Sequence, residues 1–180
     1  LVEEKIQSKI IPLKKLMKDN KLDFSNFKIN EKVLIPRPDT EVIIEQVLKI
    51  YKKKEGINFL EIGTGSGCII LSILKEKKSF SGKGVDISKD SLKVCINNAI
   101  KLGLINRLKL FKSDIDNFFL GKYDLIVSNP PYIKKSSLKC LEKDIGFEPK
   151  QALDGGLDGL SEIRKVINKS SELIKIGRAS

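Results

Sequence analysis

The run Glu61-Ile62-Gly63-Thr64-Gly65-Ser66-Gly67 limits what this chain can fold into more than any other stretch. Before it lies an apolar, strand-like segment, Ile57 to Ile62; after it comes a helical one, Ile69 to Lys77. Alternate glycines permit positive φ and let a backbone approach a ligand closely. A turn of this kind joins a strand to a helix at the edge of a parallel sheet, which any α/β protein requires. The glycines alone therefore predict the fold class before they predict a ligand.

The rest of the chain repeats the unit. Gly84 to Ile87 reads as a second strand, and Ser88 as the cap of a helix with apolar Leu92, Cys95, Ile96, Ala99 and Ile100, ended by Gly103. Leu108 to Phe111 and Tyr123 to Val127 read as two further strands. A last helix runs from about Gly159 to Ile174, with Ile163, Val166, Ile167 and Ile174 on one side. Ahead of the first strand, Pro36 and Pro38 hold an extended entry, and Asp39 or Thr40 can cap a helix whose stripe is Ile44, Val47, Leu48 and Tyr51. Strand–helix alternation at this spacing predicts a doubly wound parallel sheet with helices on both faces.

Composition excludes several classes. The chain has 180 residues, 41% hydrophobic and 32% charged, which suits one ordinary globular domain. No apolar run approaches the roughly 20 residues that cross a bilayer. Leu1-Val2-Glu3-Glu4-Lys5 lacks a signal-peptide pattern, so a cytoplasmic location is expected. Histidine is absent, which removes His bases and His ligands. Cys68, Cys95 and Cys140 are too few and too scattered for a zinc cluster, so no metal is expected and the thiols read as buried and reduced. Of the 34 basic residues only Arg37, Arg107, Arg164 and Arg178 are arginines. Phosphate recognition favours arginine forks, so the net charge of +11 reads as lysine drift and solubility, with attraction to a ribosome-associated partner as the alternative.

The glycine loop does not match the dinucleotide fingerprint G-x-G-x-x-G. Its third glycine comes one residue early, and Cys68 stands where that fingerprint needs glycine. It resembles instead the acidic-x-G-x-G-x-G loop of S-adenosylmethionine-dependent methyltransferases. That resemblance implies cofactor contacts from Glu61, Gly63, Thr64, Gly65, Ser66 and Gly67. Asp86, about 20 residues on, is expected to accept hydrogen bonds from both ribose hydroxyls. Asp114 and Ile115, after the third strand, are expected beside the adenine ring, and Asn129 beside the reacting end of the cofactor.

Asn129-Pro130-Pro131-Tyr132 follows the fourth strand directly. Two prolines keep the loop stiff while leaving their carbonyls as free acceptors. The tetrapeptide resembles the signature of methyltransferases that act on nitrogen conjugated to a carbonyl or an aromatic ring. Such nitrogen is a poor nucleophile because its lone pair is delocalised. The Asn129 side-chain oxygen and the Pro130 carbonyl are expected to accept its two hydrogens, freeing the lone pair as planarity is lost. Tyr132 would supply an aromatic wall, with Pro131 beside it.

Two more segments narrow the resemblance: Leu34-Ile35-Pro36-Arg37-Pro38-Asp39-Thr40-Glu41, and Glu148 to Gly156 with Asp158-Gly159-Leu160. Both are similar to the bacterial peptide chain release factor glutamine N5-methyltransferase family, from about Pro12 onward and with all motifs in family order. The resemblance implies a Rossmann-like class I methyltransferase sheet, S-adenosylmethionine as cofactor, and the Gly-Gly-Gln glutamine of a class I release factor as substrate. A monomer that needs no direct nucleic acid is the expectation for partners. Arg37 either contacts the substrate or holds its loop.

Two departures from the family pattern stand beside this. Residues 1–30 read as the end of an N-terminal linker with a short hairpin around Phe24, Phe27 and Ile29, and 31–180 as the catalytic domain. The sequence stops where the family enters its fifth strand, so the last three strands of seven are expected to be missing and an edge left bare. Ribosomal-protein glutamine methylation, nucleic-acid amine methylation and a non-catalytic cofactor-binding remnant are the alternatives.

Overall fold

A computed structural model describes residues 38–138 and 149–175. The expected hairpin within 1–30, Arg37 and Cys140 lie outside these residues. In chain order the elements are helix α1 (Pro38–Ile50), strand β1 (Asn58–Ile62), α2 (Cys68–Glu76), β2 (Ser81–Asp86), α3 (Lys89–Lys101), β3 (Leu108–Lys112), β4 (Leu125–Ser128) and α4 (Ser161–Leu173). The strands pair in the order β3-β2-β1-β4, and every pairing is parallel. The chain steps outward from β1 to β2 to β3 and then returns to the other side of β1. The sheet thus has its switch point between β1 and β4.

Side chains alternate across β1, and both faces are covered. Phe59 belongs to one buried cluster with Ile44 and Val47 of α1, Ile70, Leu71, Ile73 and Leu74 of α2, and Cys95 and Ala99 of α3. Leu60 and Ile62 face the opposite layer, built from Ile115, Phe118, Tyr123 and Leu173 of α4. Burying one such side chain stabilises by about 1.5–3 kcal/mol, so β1 anchors both layers. The doubly wound arrangement expected from the alternation is present.

Three local expectations are corrected. Helix α1 includes Pro38 to Thr40, so neither Asp39 nor Thr40 stands before it as a cap. In α3, Ile96 and Ile100 are exposed, and the buried face holds Val94 and Asn98 with Leu92, Cys95 and Ala99. Asn98 turns inward because its Nδ2 donates to the Ser66 carbonyl at 3.0 Å. In α4, Ile167 is 62% exposed while Lys169 is buried, its Nζ paired with Glu172 at 2.8 Å and 4.0 Å from the Phe119 ring centroid. Ile174 has left the helix and forms a parallel bridge with Tyr123 on the free side of β4.

Basic side chains close two helix ends. Arg107 Nη1 donates to the carbonyls of Lys77 and Phe80, and Nη2 to that of Leu74 at 2.6 Å, at the C-terminal end of α2. Lys77 Nζ donates to the carbonyls of Tyr51 and Lys52 after α1. Cations suit these ends, where unpaired carbonyls and the helix dipole are negative. Part of the positive charge that composition left unassigned has this structural use.

Candidate active site

Strand register brings the motifs to one edge. Ile62 pairs with Ser128 on one side and with Val85 on the other, so Gly63, Asn129 and Asp86 are the next residues on three neighbouring strands. Neighbouring strands lie about 4.8 Å apart. Ser128 Oγ donates to the Ile62 carbonyl at 2.8 Å, fixing β4 to β1 at the point where both loops leave the sheet. Asp86 is opposite Lys112, so Asp114 joins the same edge two residues beyond. The glycine loop and Asn129-Pro130-Pro131-Tyr132 therefore flank the switch point, where ligands of such sheets bind.

The loop is held by the strand beside it. Gly63 and Thr64 donate their amide hydrogens to the Val85 carbonyl at 2.9 and 3.2 Å. Gly63, Gly65 and Gly67 all have positive φ. A Cβ at Gly63 or Gly65 would meet nothing within 4 Å, so the backbone there borders open space. At Gly67 a Cβ would lie 2.5 Å from Cys95 Sγ, so that glycine serves close packing of α2 on α3. The two kinds of glycine separate a ligand-facing role from a packing role within one short loop.

Asp86 Oδ2 accepts the Gly65 amide hydrogen at 2.8 Å and Oδ1 accepts that of Ser88 at 2.8 Å. Burial raises its pKa and these two bonds oppose the rise. Each carboxylate oxygen retains a second lone pair. Glu61 is buried beneath the loop, where Oε2 accepts the Ile70 amide hydrogen at 3.2 Å. Burial pushes its carboxyl well above the ordinary range; the Ile70 bond opposes this and nearby Asp86 adds to it. Asp114 Oδ1 caps the turn Ile115–Asn117 through the Asp116 amide at 3.0 Å, and Ile115 is buried under it.

Burial also raises the Cys68 and Cys95 thiols, with nearby carboxylates adding to the effect, so neither is a thiolate nucleophile. Among the described residues no group of His, Cys, Asp and Glu could hold a metal ion. Among them, too, no helix is long and apolar enough to cross a membrane.

At the tetrapeptide, Asn129, Pro130 and Pro131 are half-buried, and Tyr132 is 56% exposed at the mouth. Two features escaped the sequence reading. Asn129 Nδ2 donates to Thr40 Oγ1 of α1 at 3.4 Å. In addition, the segment 153–161 wraps the chain leaving Tyr132. Ile133 donates to the Leu153 carbonyl at 3.1 Å, Gly155 to the Ile133 carbonyl at 2.9 Å, and Lys135 to the Gly156 carbonyl at 2.9 Å. A Cβ at Gly155 would lie 2.8 Å from Tyr132 Cα, and one at Gly159 would lie 2.6 Å from the Tyr132 carbonyl oxygen. Both features fall in segments already marked by their motifs, but the contacts themselves span too much chain to be read from spacing.

A family model described as a methyltransferase domain matches residues 53–176. A release factor glutamine methyltransferase of Caulobacter vibrioides is 39% identical over 151 residues, covering 83% of this chain and 52% of that protein. One of Rhodospirillum rubrum is 42% identical over 132 residues, covering 73% and 40%. The chain thus spans about half the length, or less, of these two curated relatives. Among solved structures, the hMettl16 catalytic domain in complex with MAT2A 3'UTR hairpin 6 superposes with a TM-score of 0.68 at 16% identity. That match covers 89% of this chain and 61% of the other, and it shows a shared fold.

Proposed function

This chain belongs to the methyltransferase domain family, and from that premise we propose that it methylates the side-chain amide nitrogen of the Gly-Gly-Gln glutamine of a peptide chain release factor. The observation that carries the reading is the adjacency of Gly63 and Asn129 across the switch point. It sets an amide-accepting group beside a loop suited to S-adenosylmethionine. The names of the relatives supply the substrate.

The residues present fit that cofactor. Open space over Gly63 and Gly65 leaves room along the backbone, and Asp86 keeps lone pairs for two ribose hydroxyls. Asp114 and Ile115, at the turn after β3, would hold the adenine, and Glu61 braces the start of α2 through the Ile70 amide. When bound, S-adenosylmethionine supplies an electrophilic methyl group on a positively charged sulfur.

The protein's part is to prepare the nitrogen. Asn129 Oδ1 and the Pro130 carbonyl accept the two amide hydrogens and hold the nitrogen against the cofactor. As positive charge develops on nitrogen these acceptors strengthen their hold, so they favour the transition state over the bound substrate. No strong base is required, because the extra proton leaves from a cationic nitrogen to water. Tyr132 walls the glutamine side chain, and Pro131 keeps the loop rigid.

The test is methyl transfer from labelled S-adenosylmethionine to purified, unmodified release factor, with tandem mass spectrometry locating the label. The chain is used within its full reading frame. Label on the Gly-Gly-Gln glutamine is expected, and Asn129→Ala should lower the rate by about 100-fold. Cofactor binding without label on that glutamine would overturn the substrate, and ribosomal protein and nucleic-acid amines would be tried next.

A further inference from the structure

Helix α1 is tied near both ends to the residues that flank β4. Just beyond its C-terminal end, the Tyr51 hydroxyl donates to the Asp124 carbonyl at 2.9 Å, where the chain enters β4. In its first turn, Thr40 Oγ1 accepts a hydrogen from Asn129 Nδ2 at 3.4 Å, where the chain leaves β4. The dimensions agree. From Thr40 to Tyr51 a helix rises about 16 Å at 1.5 Å per residue. From Asp124 to Asn129 a strand covers about 16 Å at 3.3 Å per residue. Ile44 and Val47, buried between these ties, fix the helix against the sheet.

We propose that Thr40 is a positioning residue that holds the Asn129 side-chain amide in place at the edge of the crevice. The proposal rests on the reading of Asn129 as an acceptor for the glutamine amide. An Asn side chain turns about two bonds, and a threonine hydroxyl that takes a hydrogen from Nδ2 anchors one end of its amide. With Nδ2 turned to the helix, Oδ1 faces the crevice. Thr40 is 4% exposed, so bulk water is poorly placed to replace its hydroxyl. The Tyr51 tie at the far end sets the axial place of the helix, and thereby of Thr40.

The test compares Thr40→Val, which keeps the shape and removes the hydroxyl, with Thr40→Ser, which keeps the hydroxyl. Three quantities are read: kcat and KM for release factor methylation, S-adenosylmethionine affinity by calorimetry, and the Asn129 side-chain 15N–1H signals, identified by their loss in Asn129→Asp. Thr40→Val should lower kcat by about tenfold, the loss expected for one hydrogen bond at the reacting group. KM and cofactor affinity should hold, the Asn129 signals should shift, and Thr40→Ser should restore kcat and signals together. Wild-type kcat with unshifted Asn129 signals in Thr40→Val would overturn the proposal. So would an equal loss of kcat in both variants, which marks a packing role. If the wild-type protein labels no glutamine, the functional reading fails instead, and unshifted Asn129 signals would still reject the Thr40 contact.

Discussion

The Glu61 carboxylate accepts the amide hydrogen of Ile70 at 3.2 Å from a site that is 1% exposed, directly beneath the glycine loop. An acid so placed is held by one backbone bond at the start of α2 and shielded from water on every other side.

Stability should therefore depend on pH through Glu61. Burial raises its folded pKa well above the ordinary 4.5. Above that value the folded chain binds more protons here than the unfolded chain, so stability is full below 4.5 and falls as pH rises through the folded pKa. Asp86, also raised, acts with the same sign from its own ordinary 3.8. Glu61→Gln should flatten the fall in melting temperature as pH rises above 4.5 and leave a smaller slope due to Asp86. An unchanged slope would show that Glu61 is ionised at no cost in the folded state.

The two kinds of glycine should respond differently to alanine. Gly67→Ala combines a strained positive φ with contact against Cys95 Sγ, and should lower stability by about 3 kcal/mol in urea denaturation. Gly65→Ala meets no neighbour and should cost about 1 kcal/mol from backbone strain alone. Its methyl group projects into the space assigned to the cofactor, however. S-adenosylmethionine affinity, measured by calorimetry, should fall by about tenfold in Gly65→Ala.

Gly155 and Gly159 support the tetrapeptide from behind. Alanine at either place must displace the Tyr132 backbone, which is rigid on one side through Pro130 and Pro131. Misplacement of about 1 Å can cost about 100-fold in rate. Steady-state kinetics of each variant should show that loss in kcat, with cofactor affinity near the wild-type value because the glycine loop is untouched.

Arg107 should matter to the fold rather than to the site. Its guanidinium serves three carbonyls at the end of α2. Arg107→Met should destabilise the chain by about 2 kcal/mol, as a charge-assisted bond lost at a partly buried place does. Arg107→Lys should recover only part of it, since a single ammonium lacks the planar fork. Thermal denaturation of both variants decides the matter.

The sequence made the sheet and the placement of its motifs legible, because the parallel strands follow apolar runs separated by glycines. What it hid were the polar residues that fold inward. Asn98 stands outside the apolar set read for α3, yet it is buried and its amide serves the Ser66 carbonyl. Lys169 replaced Ile167 on the buried side of α4 because its ammonium reaches both Glu172 and the Phe119 ring. Thr40 read as a cap, since its contact with Asn129 lies 89 residues away. Periodicity reports hydrophobic faces; it carries no signal for a hydrogen bond between distant segments.

The register of β1 has a consequence for the order in which the chain acquires its parts. Its pairing with β2 joins Asn58 to Ser81, 23 residues on, whereas its tie to β4 joins Ile62 to Ser128 across 66 residues. Closing the longer loop costs about 1 kcal/mol more in chain entropy, and Asn129 emerges from the ribosome well after Asp86. During synthesis the glycine loop and its Asp86 partner can close while the tetrapeptide is still being made. The cradle forms first, and the reactive edge is fitted to a surface already in place.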